Sequence, residues 1–152
     1  MGKDRAFKKL EIWQIGMDLM EEVYRLTATF PQSEIFGLTS QMRRASTSIP
    51  SNIAEGYGRS SDKSMAYFVR IARGSLAELD TFVDASIRLG FLSKERAQKS
   101  ILLMSAFGRK SYMFLKAIDP EAVREEQAAY GILDDSEDID SEALDSAAID
   151  RN

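Results

Sequence analysis

The sequence predicts an all-α protein: an antiparallel up-down-up-down four-helix bundle followed by an acidic, mobile C-terminal tail. Apolar residues recur at three- and four-residue spacing through four long blocks, and no block alternates as a strand would. Prolines and glycines separate the blocks, at Pro31, Gly37, Gly90 and Pro120. Because the connections are short, consecutive helices are expected to run antiparallel.

Several positions carry signals for helix ends and helix packing. Ser61 and Ser93 have the residue type that caps helix N-termini, and Gly90 suits the left-handed position after a helix. Gly74 interrupts the third helix and predicts a close approach of another helix there. The four helices are predicted over residues 7–29, 36–58, 61–90 and 93–118.

Charge divides the chain into a basic body and an acidic end. Residues 1–118, the predicted helical domain, hold 18 Lys and Arg against 12 Asp and Glu, whereas residues 119–152 hold 2 against 12. A short helix is predicted over 121–130, and residues 134–150 have too little apolar content to fold. The asymmetry favours a nucleic-acid or acidic partner for the body, with the tail as competitor or solubiliser. A solvated surface with a disordered end is the alternative.

Composition argues against several classes of function. The chain contains no cysteine and no histidine, which removes disulfides, thiolate or imidazole metal sites and histidine-based catalysis. We therefore expect no enzyme activity, catalytic residue, cofactor or metal. No apolar run approaches the length of a membrane span, and the charged start does not resemble a signal peptide. The sequence thus predicts a cytoplasmic protein without a membrane partner.

Helices 1 and 4 have wider apolar arcs than one buried stripe requires. On a helical wheel these arcs approach half the circumference, which predicts a second buried contact and hence a homo-oligomer. A wide core-facing arc, or cover from the C-terminal segment, is the alternative. The residues predicted to form the oligomer interface are Leu19, Val23, Leu103, Phe107 and Phe114.

A polar stripe runs along helix 2, beside its apolar face. Two interpretations stay open: a surface for recognition or subunit contact, and a hydrogen-bond network that holds a kink at Pro50. The stripe comprises Gln41, Ser48, Asn52 and Glu55, with Arg44 between them.

Basic residues cluster around the same region and predict contacts with phosphates, while Tyr57 offers a ring that could stack on a base. An ordinary solvated helix surface is the alternative for each of them. The candidate nucleic-acid-binding residues are Arg43, Arg44, Arg59, Lys63, Arg70 and Arg73.

Three segments, at residues 36–46, 48–59 and 74–79, closely resemble the bacterial four helix bundle protein family, the proteins encoded in intervening sequences of large-subunit ribosomal RNA genes. The likeness spans about residues 7–118. It implies an antiparallel bundle that assembles as a homopentamer, an association with ribosomal RNA or another nucleic acid, and no catalytic residues. The positions that match the motif are Gln41, Arg43, Arg44, Ser48, Asn52, Glu55, Gly56 and Arg59.

The leading hypothesis is therefore a homo-oligomeric scaffold that binds structured RNA, or DNA, through a basic surface built from helix 2 and the start of helix 3. The alternative is a protein–protein interaction module that binds no nucleic acid.

Overall fold

The computed structural model describes residues 3–130, and all regular secondary structure in this part of the chain is helical. The all-α prediction is confirmed for these residues. The tail predicted to be mobile at 134–150 lies outside them. A 3-10 helix at Lys3–Lys9 precedes α1, and another at Gln32–Glu34 lies between α1 and α2. The α-helices are α1 (Glu11–Thr27), α2 (Leu38–Gly58), α3 (Asp62–Arg88), α4 (Lys94–Ile118) and α5 (Pro120–Tyr130).

The helix ends follow the local chemistry of the sequence. The hydroxyl of Ser61 accepts a hydrogen bond from the Ser64 amide, and that of Ser93 accepts one from the Arg96 amide, each at 3.2 Å. Both predicted N-caps are thus confirmed. Gly90 has φ +77°, the left-handed conformation expected after α3.

Two helices begin later than the sequence predicted. Leu10 adopts an extended conformation, which separates the N-terminal 3-10 helix from α1. At α2, the carboxylate of Glu34 accepts a hydrogen bond from the Leu38 amide at 3.0 Å. This bond satisfies an amide that has no partner within the helix, and so it fixes the start of α2 at Leu38.

Each of the four long helices contacts two others. Helix α1 packs against α2 and α4, and α3 packs against the same two helices. By its contacts the chain divides into two compact units, one ending at Pro120 and one beginning at Glu121. The first unit has an apolar core whose largest fully buried side chains include Leu19, Leu26, Met42, Ile49, Ile53, Val69, Leu79, Phe107 and Leu115.

Two glycines, Gly16 and Gly56, lie where another helix approaches closely, whereas Gly74 does not. A Cβ at Gly16 would lie 3.2 Å from Ile49 and 3.4 Å from Pro50, so α1 reaches α2 at the proline within that helix. A Cβ at Gly56 would lie 2.9 Å from the Cβ of Phe68 on α3. No atom lies within 4 Å of a Cβ built at Gly74, so the close approach predicted there is wrong.

One buried charge lies within the apolar core. Glu22 is 2% exposed, and its carboxylate accepts hydrogen bonds from the Arg25 guanidinium, one of them at 2.9 Å from Nε. Lys99 on α4 approaches the same carboxylate at 3.6 Å. These hydrogen bonds lower the pKa of Glu22, burial opposes the shift, and the charges of Arg25 and Lys99 add to it. Glu22 therefore joins α1 to α4 as an anion.

No helix among the described residues is long and apolar enough to cross a bilayer.

The lowered pKa of Glu22 predicts a pH-dependent stability. A carboxyl with a lower pKa in the folded state stabilises the fold above its unfolded pKa, and this contribution is lost as the pH falls through the folded value. We expect Glu22→Gln to destabilise the protein at neutral pH by about 1 to 2 kcal/mol. Below about pH 5, the melting temperature of this variant should fall less with decreasing pH than that of the wild type. Thermal melts across pH test this. Glu21→Gln, at the exposed neighbouring position, is the matched control and should leave the profile unchanged.

Alanine substitutions at two glycines should change the free energy of unfolding in opposite directions. Gly56→Ala should destabilise the protein by about 1 to 3 kcal/mol, because the new methyl group meets the Cβ of Phe68 and the backbone of Met65. Gly74→Ala should stabilise it by up to about 1 kcal/mol, since the helix gains propensity and nothing is displaced. Denaturant unfolding measures both, and a shift of the two variants in the same direction would contradict this explanation.

Candidate nucleic-acid interface

Three of the six candidate basic residues are half-buried and contact residues far from them in the sequence. Arg43 donates from Nε to the hydroxyl of Thr27 at 2.9 Å, and its guanidinium lies 4.6 Å from the ring centroid of Tyr24. Arg73 donates to the carbonyl of Gly108 at 2.9 Å and to the Ser111 hydroxyl at 3.0 Å. These two arginines join α2 to α1 and α3 to α4.

Arg70 is partly engaged as well. It forms an ion pair with Asp119 at 3.4 Å, and both side chains are about one-third exposed. The structure thus separates Arg43, Arg70 and Arg73 from the remaining three candidates, Arg44, Arg59 and Lys63, which are exposed. The sequence pattern could not predict which arginines are engaged, because the residues that Arg43, Arg70 and Arg73 contact lie far from them in the sequence.

Two of the exposed cations border a groove where α2 turns into α3. Its volume is about 400 Å³. The Arg59 guanidinium lies 5.6 Å from the ring centroid of Phe68 and also donates to the Glu55 carboxylate at 2.7 Å. We call this the basic-aromatic groove; its lining residues are Arg59, Lys63, Ser64, Tyr67 and Phe68.

Tyr67 is the residue of this groove that sequence reasoning missed. Its side chain is 60% exposed, and its ring meets that of Phe68 edge-on at 5.2 Å between centroids. The available signal was its spacing, since Tyr67 follows Lys63 by one helical turn and so lies on the same face of α3. The groove therefore combines exposed cations with an exposed ring.

A larger groove, of about 690 Å³, is lined by other residues of the same turn. Tyr57, the ring that the sequence singled out, borders it together with Phe114. Phe7 packs against Tyr57 at 6.3 Å and against Trp13 at 5.6 Å. We call this the end groove; it is lined by Leu10, Gly56, Tyr57, Gly58, Ser60, Ser61, Asp62, Met65, Phe114 and Ile118.

The polar stripe on α2 is divided between exposed residues and two half-buried ones, Ser48 and Asn52. The Ser48 hydroxyl lies 2.8 Å from that of Ser75 on α3, and the Asn52 amide donates to the Ser48 hydroxyl at 2.9 Å. Glu55 pairs with Arg59, while Gln41 is exposed. Ser48 thus joins α2 to α3, and Asn52 bonds to Ser48 within α2, one turn away and close to Pro50.

The residues predicted to form the oligomer interface are divided by burial. Leu19, Val23 and Phe107 are fully buried within the protomer, so they have no surface left for a second subunit. Leu103 and Phe114 are half-buried. The core of the protomer thus accounts for three of the five positions in the apolar arcs of α1 and α4.

Other apolar side chains are exposed. Leu102 and Met113 on α4 are 51% and 59% exposed, and they lie three turns apart on one face. Phe36, just before α2, is 92% exposed. The most exposed apolar side chains of α4 thus lie outside the predicted set, of which Leu103 and Phe114 keep partial exposure.

The described residues show no sign of a metal centre. Among them, no group of three or more acidic side chains could hold a metal ion, and every buried side-chain nitrogen or oxygen has a hydrogen-bond partner.

Comparison with known proteins places the sequence in a family. No curated protein matches it. The sequence model of the family described as "23S rRNA-intervening sequence protein" matches residues 8–112, from the N-terminal 3-10 helix into the last turns of α4. This match includes the α2 motif at residues 48–59 and all six candidate basic residues, and it confirms the resemblance found from the sequence. The chain therefore belongs to the 23S rRNA-intervening sequence protein family.

Proposed function

We propose that this protein is a non-enzymatic, homo-oligomeric helical scaffold that binds structured RNA, with the turn from α2 into α3 as its contact surface. The observation that carries the proposal is the basic-aromatic groove, where exposed Arg59 and Lys63 adjoin the exposed ring of Tyr67. The family name associates such proteins with 23S ribosomal RNA genes. An association with ribosomal RNA would also place the protein in the cytoplasm.

The scaffold in this proposal is an antiparallel up-down-up-down four-helix bundle. Two features support it: the contacts α1–α2, α2–α3, α3–α4 and α4–α1 close into a ring, and residues 59–61 and 89–93 are the only links between α2 and α3 and between α3 and α4. Connections this short favour antiparallel neighbours. In such a bundle the start of α1, the end of α2 and the start of α3 lie at the same end.

The groove has the two kinds of group that RNA contacts use. Lysine and arginine attract phosphates by releasing their counterions, and an exposed ring stacks on an unpaired base. Glu55 and Asp62 lie close by in the sequence and reduce the local positive charge. We therefore expect modest affinity that depends strongly on salt and on a few cations.

Oligomer formation is proposed through the exposed apolar residues of α4 and not through the side chains that the core buries. Leu102 and Met113 expose apolar surface on one face, and contact with a second subunit would remove this surface from water. A homopentamer is the assembly that the family resemblance implies.

The second candidate function is a protein–protein interaction module that binds no nucleic acid. The near-complete exposure of Phe36 favours it, because exposed aromatic residues are common anchors of protein interfaces. Salt distinguishes the two functions, since apolar docking of a protein should change little at ionic strengths that release RNA.

RNA binding should depend on the cations of the basic-aromatic groove. We expect the double variant Arg59→Gln, Lys63→Gln to reduce the slope of log K against log salt concentration by roughly 0.7 to 0.9 for each phosphate that the protein no longer neutralises. Filter binding or fluorescence anisotropy across salt concentrations measures the slope. The matched control is Arg88→Gln, Lys94→Gln, which removes equal charge from exposed positions around the α3–α4 connection and should keep the wild-type slope.

The proposal fails if the folded wild-type protein binds no RNA at about 50 mM salt, where electrostatic attachment is strong.

Oligomer formation should depend on the exposed face of α4. The wild-type protein should sediment as a species more than twice the 17.0 kDa of one chain, and Leu102→Lys with Met113→Lys should dissociate it by placing charges in the contact. Glu21→Lys with Ser51→Lys adds two lysines at exposed positions of α1 and α2 and should not. A wild-type monomer at micromolar concentration would refute the homo-oligomer.

A further inference from the structure

We infer that the end groove receives an unpaired nucleobase of RNA while the cations around it hold the adjoining phosphates. The inference rests on the proposed function and deepens it, because it assigns single-stranded or looped RNA, and not duplex, as the preferred ligand. It also assigns a base-binding role to Tyr57, a residue outside the basic-aromatic groove.

The end groove has the size and lining of a site for a flat ring. A volume of about 690 Å³ lies within the range of roughly 300 to 1,000 Å³ typical of small-molecule sites. Tyr57, 38% exposed, provides a ring that is accessible at the groove wall. Half-buried Phe114 and Ile118 and the buried Met65 supply apolar surface. Unpaired bases stack on such surfaces.

The ring of Tyr57 packs against another aromatic ring, that of Phe7. Phe7 lies 6.3 Å from its ring centroid, and Phe7 is in turn packed edge-on against Trp13 at 5.6 Å. The preceding residue, Gly56, holds the end of α2 tightly against Phe68 of α3. A supported ring loses little conformational entropy when a ligand stacks on it. A Cβ at Gly58, another lining residue, would meet no atom within 4 Å, so there is open space beside this position.

The distribution of charge favours a base over a phosphate inside the groove. Asp62 is exposed and lines it, so its carboxylate would repel a phosphate and can accept a hydrogen bond from the amine of a base. The cations lie outside the lining. Lys8 and Lys9, both exposed, directly precede groove-lining Leu10, and Arg59 and Lys63 border the neighbouring groove. A nucleotide strand matches this arrangement, with the base inside and the phosphates at the cations.

The test uses the full-length protein and a short single-stranded RNA that carries one 2-aminopurine, with the same RNA annealed to its complement for comparison. Stacking in the end groove should quench 2-aminopurine when wild-type protein binds the single strand. The duplex should bind with unchanged base fluorescence. Tyr57→Leu should abolish the quenching and weaken single-strand binding on the order of tenfold, whereas Tyr57→Phe, which keeps the ring, should retain both.

A second pair of variants keeps the test decisive if Tyr57→Leu does not fold. Gly58→Leu places a larger side chain at a lining position where a Cβ meets no atom within 4 Å, and it should abolish the quenching by occupying the space of the base. Gly74→Leu, an equally open helical position distant from the lining residues, should bind and quench as wild type does. Equal quenching in all folded variants, or equal loss in Gly58→Leu and Gly74→Leu, would overturn the assignment.

The outcomes separate this inference from the function on which it rests. Salt-dependent binding of the single strand without any 2-aminopurine change refutes the base site and leaves RNA binding intact. If neither strand form binds at about 50 mM salt, the proposed function itself has failed. A duplex that binds as tightly as the single strand, with no dependence on Tyr57, refutes the preference for unpaired RNA.

Discussion

The close packing of α2 between α1 and α3 is the constraint on which the other features depend. Gly16 lets α1 reach the proline within α2, and Gly56 lets the end of α2 reach Phe68 on α3. Since protein interiors are packed as densely as crystals, these contacts leave little freedom in the relative positions of the three helices. Both grooves lie beside the turn that follows Gly56, so the same contact that closes the core also positions the surface proposed to bind RNA.

The basic residues serve two purposes that the fold separates in space. Arg43 and Arg73 donate hydrogen bonds across helix boundaries, where they replace water around buried or half-buried acceptors. Arg59 and Lys63 lie at the turn and keep solvent access. A half-buried arginine that bonds across a helix boundary gains less from a phosphate than an exposed one, because binding would first break those bonds. Arg59 would exchange its exposed ion pair with Glu55, and exposed ion pairs contribute little stability. The exposed cationic surface is thus narrower than the number of cations indicates.

The buried Glu22 and the exposed residues of α4 illustrate how burial alters the role of a side chain. Glu22 remains charged inside the first unit because Arg25 and Lys99 replace the water it loses. Leu102 and Met113 are apolar but exposed, and they offer contact area that the protomer does not use. Because they lie on one face of α4, a single partner surface could cover both. In both cases the surroundings, and not the residue type, determine the role.

The sequence by itself determined the all-α class, both serine N-caps, the left-handed Gly90 and the family. Each depends on spacing or local backbone chemistry, which a linear pattern records. Only the tertiary structure decided which polar and apolar residues remain exposed. The amphipathic pattern of α1 and α4 does not distinguish a second subunit from a second neighbouring helix, so it points to Leu19, Val23 and Phe107 as interface residues although the core buries them. The close approach expected at Gly74 occurs instead at Gly16 and Gly56. A glycine in the sequence shows that a position lacks a side chain, but it does not show whether another helix lies opposite that position.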